Sequence, residues 1–349
     1  MTGALVARLR PLWATPLAAA INLVALALLV WVVPKALDWA IFSAVWSAED
    51  MNGCPASGGA CWAFAIAKAR LILFGRYVFD EQWRAALGVV ILCALVALSL
   101  NPRFWRGWLA AAWAGGLAIY AVVMWGGVFG LRYIDSTYWG GLPLTVLLTI
   151  FGTFFGILFA IPLALARASG LPVFRFVATV YIELVRGVPL ISVLFMASVL
   201  IPVILPEGFA PSGLARVLIG LSVFIAAYMA EVLRGGLQAI PAGQIEASRS
   251  LGISYFAMMF RVVLPQVFEI VLPPTVSLII AVLKGTSLVV IVAMLDLLGA
   301  AKAALADPKW IGFHVEAYVF AALIYAIMCG SIAWYGRRVE ARLSAARRK

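Results

Sequence analysis

Apolar runs long enough to cross a lipid bilayer dominate this sequence and leave few folds open to it. Eight of them lie near 16–34, 85–100, 107–129, 142–166, 178–204, 214–233, 267–294 and 314–336. A span needs about 20 largely apolar residues, and a helix satisfies its own backbone hydrogen bonds where water is absent. Because 65% of the 349 residues are hydrophobic and only 12% are charged, a water-soluble fold is excluded. We predict an all-α polytopic membrane protein with about eight transmembrane helices, three at the N-terminus and five in a core.

The net charge of +11 indicates membrane topology rather than a surface for nucleic acid. Basic residues cluster between the apolar runs, and placing the N-terminus in the cytoplasm puts all these clusters inside, as the positive-inside rule requires. The clustered residues are Arg8, Arg10, Arg103, Arg106, Arg167, Arg175, Arg234, Arg249, Arg261, Arg337, Arg338, Arg342, Arg347, Arg348 and Lys349. Both termini are therefore predicted to be cytoplasmic, and nucleic acid is not an expected partner.

A long segment, 38–81, falls on the outer side in this topology. It contains an apolar piece, Cys61–Phe74, which two basic residues interrupt and which we interpret as an amphipathic surface helix. Cys54 and Cys61 bracket a short turn there, so an oxidising compartment favours a disulfide between them, with two unpaired thiols as the alternative. We assign residues 1–135 to an N-terminal extension that includes this loop, and residues 136–342 to the core.

A polar segment, Leu233–Gln266, separates two of the core spans and is too polar to cross a membrane. Gly235-Gly236 and Pro241 are predicted to end the first of these helices, and helical periodicity resumes from Gln244. The segment is predicted to form a coupling loop over residues 235–265.

Gly252 is predicted to give this loop a sharp turn, after which a short helix runs from Tyr255 to Val263. Pro265 falls near the first turn of the next span, where its missing N–H costs little. A helix–Gly–helix of this kind suits contact with a soluble partner, although composition alone also allows a re-entrant or merely connecting loop.

The residues of this loop resemble the EAA signature of permease subunits of bacterial ATP-binding-cassette importers. The signature places Glu-Ala-Ala, then Gly, then Ile-x-Leu-Pro at fixed spacings, which this sequence keeps with Ser and Val as its two replacements. The resemblance implies coupling to a separate ATPase through Glu246, Ala247, Ser248, Gly252, Leu264 and Pro265.

Other stretches are similar to the polar amino acid subfamily of these permeases. They include YIELVRGVPL (181–190), LKGTSLV (283–289) and the extended N-terminus, which resembles that of general L-amino acid and glutamate/glutamine permeases. The resemblance implies a bacterial inner-membrane subunit that moves L-amino acids by alternating access. Its implied partners are cytoplasmic ATPase subunits, a second homologous permease, a periplasmic substrate-binding protein and the lipid bilayer.

Ionisable and polar residues within spans are candidates for the substrate site. Glu183 and Arg186, like Glu231 and Arg234, stand three apart on one helix face, which favours self-satisfied pairs near a helix end. By resemblance to solved relatives, Glu183 is also a candidate substrate contact.

The sequence Lys284-Gly-Thr286-Ser287 interrupts an apolar span and completes the predicted substrate set. Lys284 is interpreted as part of an anion-tolerant site, with neutralisation of a nearby carboxylate as the alternative. The relatives that this sequence resembles usually carry Asp where Gly285 stands, and those that prefer cations also carry Glu where Leu278 stands. Specific recognition of arginine-like side chains is therefore not expected, which leaves a broad or acidic substrate range or recognition by the partner permease.

No catalytic constellation is expected, because the sequence has a single histidine, His314, and no GxxxxGK[ST] phosphate loop. We therefore predict no enzyme activity, no cofactor and no metal site. The alternative function is an ion-coupled secondary amino acid transporter, which predicts broken helices in paired inverted repeats. A membrane-embedded enzyme would require convergent acid, base or nucleophilic groups that the sequence does not offer.

Overall fold

The computed structural model describes residues 15–54, 58–100, 104, 107–206 and 208–347. Arg8, Arg10, Arg103, Arg106, Arg348 and Lys349 of the topology prediction lie outside these residues. The described part is a helical chain with thirteen α-helices: α1 (Pro16–Leu37), α2 (Trp62–Phe74), α3 (Gln82–Ser99), α4 (Gly107–Trp125), α5 (Gly141–Ala168), α6 (Pro172–Gly187), α7 (Leu190–Ile204), α8 (Gly213–Gln238), α9 (Ala242–Ser250), α10 (Tyr255–Met258), α11 (Leu264–Gly285), α12 (Leu297–Ala304) and α13 (His314–Arg347).

Seven helical stretches of the described chain are long and apolar enough to cross a membrane, and a bent pair, α6 and α7, raises the count to eight. The polytopic helical fold is therefore confirmed. The chain divides into two compact units, Met1–Lys68 with Leu305–Ala317, and Ala69–Ala304 with Tyr318–Lys349. The predicted boundary at residues 135 and 136 stays a prediction.

In the first unit, α1 begins after Thr15, whose hydroxyl accepts a hydrogen bond from the Ala18 N–H. No residue described in this helix is buried by the chain, as expected of a helix whose apolar surface meets lipid. A disulfide joins Cys54 to Cys61, and the backbone N–H of Cys61 donates to the buried Glu316 carboxylate at 3.1 Å.

The second unit is built around the close contact between α5 and α8. A methyl group at Gly156 would lie 2.4 Å from Cγ2 of Ile225, and one at Gly152 would lie 2.7 Å from Cδ2 of Leu221. Small residues let membrane helices approach closely and gain van der Waals contact, which drives their association in lipid. The two glycines therefore place α5 and α8 at the centre of this unit.

In the same unit, the α3–α4 pair depends on a buried arginine that the sequence did not single out. Arg84 is fully buried, and its guanidinium donates to the carbonyl oxygens of Val123 at 2.6 Å and Arg132 at 2.9 Å. The charge therefore meets backbone carbonyls near the C-terminal end of α4, where a cation is favoured.

The predicted run 178–204 is not one straight helix. The axes of α6 and α7 differ by 108° across the break at Val188 and Pro189. Proline disfavours the α region for the residue before it, and Val188 is extended, with φ −105° and ψ 136°. The break follows from this local restriction.

The predicted helix end at Gly235-Gly236 is wrong. α8 runs through both glycines to Gln238, and a methyl group at Gly236 would lie only 2.3 Å from Cγ1 of Val271 on α11. Gly236 thus permits close packing between two helices rather than ending one of them.

Candidate functional site

The segment between α8 and α11 projects a short helix bounded by two turns. Pro241 precedes α9, whose residues Glu246 and Ala247 are exposed while Ser248 is buried. The Ser248 hydroxyl donates to the Gln244 carbonyl at 2.7 Å. The glutamate therefore faces outward, and the serine at the third signature position faces the chain.

Gly252 adopts the left-handed conformation, with φ +71°. Its N–H donates to the Arg249 carbonyl at 2.9 Å, and the Ile253 N–H donates to the Ser248 carbonyl at 3.1 Å, which closes the end of α9. Such a conformation is routine for glycine and strained for other residues. The turn expected from the sequence is present at this residue.

Beyond the turn, large apolar side chains remain uncovered by the chain. Leu251 is 78% exposed, Phe256 73% and Phe260 66%. We call residues 242–263, which comprise α9, the Gly252 turn, α10 and the following π turn, the coupling knob. The three apolar side chains share its exposed surface with charged residues, including Glu246 and Arg249, and aromatic residues and arginine are enriched in protein interfaces.

Leu264 and Pro265 lie where the knob continues into the long span. A π turn, Met259–Val263, joins α10 to α11, so the chain is helical without interruption from Tyr255 to Val292. Pro265 supplies no N–H, and the Gln266 side chain donates to the Val262 carbonyl at 2.8 Å. The proline is thus accommodated within a continuous helical stretch, by widening of the preceding turn.

A cluster of five charged residues joins α5, α6 and α8. Arg167 lies 2.6 Å from Glu183 and 3.0 Å from Glu231, while Arg234 lies 2.5 Å and Arg186 3.8 Å from Glu231. The expected pair of Glu231 with Arg234 is present. The expected pair of Glu183 with Arg186 is wrong, because the Arg167 side chain takes the Glu183 carboxylate from the neighbouring helix.

The polar group around Lys284 separates into an exposed and a buried part. Lys284 is exposed, and the Ser287 hydroxyl donates to its carbonyl oxygen at 2.9 Å. Thr286 is buried, and its hydroxyl donates to the Leu283 carbonyl at 2.9 Å. Only the ammonium and the Ser287 side chain therefore present polar atoms near the surface of this part of the chain.

The buried part contains a residue that sequence reasoning missed. Asp296 is fully buried, and its carboxylate accepts hydrogen bonds from the Tyr325 hydroxyl at 2.7 Å and the Gly299 N–H at 2.9 Å. The Thr286 hydroxyl lies 3.5 Å from the same carboxylate. An acidic residue following an apolar run was the available signal.

Among the described residues, no group of three or more His, Cys, Asp or Glu side chains is placed to hold a metal ion. The charged cluster and Lys284 offer both signs of charge to a polar ligand, and the coupling knob offers an interface.

Comparisons with known proteins find similar membrane transport components. The sequence family described as "Binding-protein-dependent transport system inner membrane component" matches residues 152–345. The inner membrane amino-acid ABC transporter permease protein YhdY of Escherichia coli K12 is 40% identical, over 91% of this chain and 88% of that protein.

Two further comparisons extend the match. The glutamate/glutamine/aspartate/asparagine transport system permease protein BztC of Rhodobacter capsulatus is 30% identical, over 95% of this chain and 92% of that protein. A crystal structure of an amino acid ABC transporter with histidines matches with a TM-score of 0.52 and 29% identity. It covers 58% of this chain and 92% of the matched chain.

Proposed function

Because the chain belongs to the family of binding-protein-dependent transport system inner membrane components, we propose that ATP hydrolysed by a separate protein drives amino acids through it by alternating access. The chain is a multi-pass permease subunit of an amino-acid ABC importer. Hydrolysis is assigned to partner subunits, and the permease supplies the pathway.

The coupling knob carries this proposal. Its exposed residues Leu251, Phe256 and Phe260 fit a cleft on an ATPase subunit, with Glu246 at the rim. Closure of two ATPase subunits would displace the knob, and the helix that continues from it would transmit the movement into the spans. An ion-coupled secondary transporter would leave this apolar surface without a function.

The sidedness follows from the same assignment. We place the knob and both termini in the cytoplasm and the disulfide between Cys54 and Cys61 on the periplasmic side of the bacterial inner membrane, where disulfides persist. A periplasmic binding protein would deliver the amino acid to that outer side. A second homologous permease would complete the pathway.

For the substrate site we propose that Glu183 meets the α-ammonium group of the amino acid and Lys284 meets a carboxylate. Both side chains are exposed within this chain, as a pathway shared with a second permease requires. Ser287 would contribute its hydroxyl, whereas Thr286 is buried and would act by holding the segment through its bond to Leu283.

The test is co-purification and ATP-driven uptake with the complete complex in proteoliposomes. Phe256→Asp should release the ATPase and abolish coupled uptake, because a carboxylate in an apolar interface is left unpaired. Phe209→Asp is the matched control, since Phe209 is 77% exposed and lies outside the knob. Retention of the ATPase and of coupled uptake in Phe256→Asp would contradict the assignment of the knob.

A further inference from the structure

One guanidinium in the charged cluster holds two carboxylates on different helices. Nη2 of Arg167 lies 2.6 Å from Oε1 of Glu183 on α6, and Nη1 lies 3.0 Å from Oε2 of Glu231 on α8. Arg167 itself is in the last turn of α5. This side chain therefore ties together the ends of three helices.

The two carboxylates depend on Arg167 to different degrees. Glu231 is also paired with Arg234 at 2.5 Å and lies 3.8 Å from Arg186. Within the described part of the chain, Arg167 is the one ion-pair partner of Glu183, whose side chain is 56% exposed. The pair of Arg167 with Glu183 is thus the member of the cluster that another cation can replace most easily, because exposed ion pairs contribute little.

We infer that Arg167 is an internal competitor that occupies Glu183 until the amino acid arrives. The inference rests on the proposed role of Glu183 as the contact for the α-ammonium group. On binding, the ammonium takes the Glu183 carboxylate, and the displaced guanidinium of Arg167 keeps its ion pair with Glu231.

Charge balance supports an exchange of this kind. The cluster has three guanidinium groups and two carboxylates, and a zwitterion adds one group of each sign. After the exchange both glutamates still have a cation beside them, the ammonium at Glu183 and the guanidinium groups of Arg167 and Arg234 at Glu231. The ammonium recognised is common to all α-amino acids, so this cluster leaves the carboxylate and the side chain to other contacts.

The exchange would also act on the broken helix. Glu183 lies five residues before Val188, where the bend of 108° between α6 and α7 begins. Displacement of Arg167 from Glu183 removes the ion pair between α5 and α6, while Glu231 keeps its ion pair with Arg234. Arrival of the amino acid would therefore loosen the helix that precedes the bend.

Binding of radiolabelled L-glutamine to the purified permease–ATPase complex, without binding protein, tests the inference. Arg167→Gln should bind L-glutamine about 1.5- to 5-fold more tightly, the range set by loss of one exposed competing ion pair. Arg175→Gln, the control, should match the unsubstituted complex, because the Arg175 guanidinium donates to the Ser169 carbonyl. Glu183→Gln should weaken binding, and Arg167→Gln combined with it should give no additional change.

Unchanged affinity in Arg167→Gln overturns the inference, as does a gain that persists when Glu183 is also replaced. If the complex with Arg167→Gln fails to assemble, Arg167→Lys is used instead and should show a smaller gain in affinity for L-glutamine. Absence of any gain in Arg167→Lys would also overturn the inference. ATP-driven uptake by the unsubstituted complex distinguishes failure of the proposed function from failure of this inference. Absence of uptake contradicts the proposed function, whereas uptake of L-glutamine without detectable binding in any variant contradicts the inference.

Discussion

Two adjacent glycines on α8, Gly235 and Gly236, test how closely α8 packs against α11, the helix that continues from the coupling knob. A methyl group at Gly236 would lie 2.3 Å from Cγ1 of Val271 and 3.0 Å from Cγ1 of Val267, whereas one at Gly235 would meet no atom within 4 Å. Gly235→Ala and Gly236→Ala therefore add the same atom to the same helix in two different environments.

The expected magnitudes follow from these distances. Replacing glycine by alanine in a helix interior is favourable by about 0.8–1.0 kcal/mol, and this gain is common to both variants. Overpacking a close contact costs about 1–3 kcal/mol, and only Gly236→Ala incurs it. Gly235→Ala should therefore be stabilised, and Gly236→Ala should be less stable than Gly235→Ala by about 1–3 kcal/mol.

Reversible unfolding of the purified chain in mixed detergent micelles measures this difference, with coupled uptake as a second readout. Because Gly236 packs on the span that continues from the knob, Gly236→Ala should also lower uptake per ATP hydrolysed, and Gly235→Ala should not. Equal stability of the two variants would refute the close packing of α8 on α11.

Three further predictions concern the turn at Gly252, the disulfide and the ion pair of Lys68 with Asp307. Gly252→Ala should lower the free energy of unfolding by about 1–2 kcal/mol, because alanine is strained in the left-handed turn, and should reduce coupled uptake more than Gly252→Asn. Gly243 also lies in open space but has no positive φ, so Gly243→Ala should have no effect on uptake. Reducing the Cys54–Cys61 disulfide should expose two additional alkylatable thiols by mass spectrometry and lower the protection of the segment that it closes from protease, and unchanged labelling would exclude the bond. The Lys68 ammonium lowers the pKa of Asp307 in the folded protein. This ion pair therefore stabilises the fold above the unfolded pKa of about 4, and its contribution is lost as the pH falls through the lower pKa of the folded protein. Asp307→Asn should accordingly speed hydrogen exchange in residues 305–317 at pH 7 but not near pH 3, and equal exchange at pH 7 would contradict it.

Features set by local sequence were predictable. The spans followed from hydropathy, because a helix in lipid must satisfy its own backbone hydrogen bonds over a fixed length. The turn at Gly252 followed from the conformational freedom of glycine. The break before Pro189 follows from the restriction that proline places on the preceding residue, although the size of the bend depends on how α6 and α7 pack on their neighbours.

Contacts across helices were not predictable from spacing. The three-residue spacing of Glu183 and Arg186 indicated a pair, but the partner of Glu183 is Arg167, 16 residues away on another helix. The bond between Asp296 and Tyr325 joins residues 29 apart. Periodicity reports which residues share a helix face, and it contains no information on which face of another helix lies opposite.

The chain from Tyr255 to Val292 is one helical stretch of 38 residues, and at about 1.5 Å per residue it is about 55 Å long. The contact of Gly236 with Val267 and Val271 lies nearer its Tyr255 end. Rotation about that contact makes the stretch a lever whose far arm, which ends at Val292 beyond Lys284, is about one and a half times its near arm. A tilt of about 5° would then move the far end by about 3 Å and Lys284 by about 2 Å, so a small rotation of the knob displaces the residue that we propose to meet a carboxylate of the substrate.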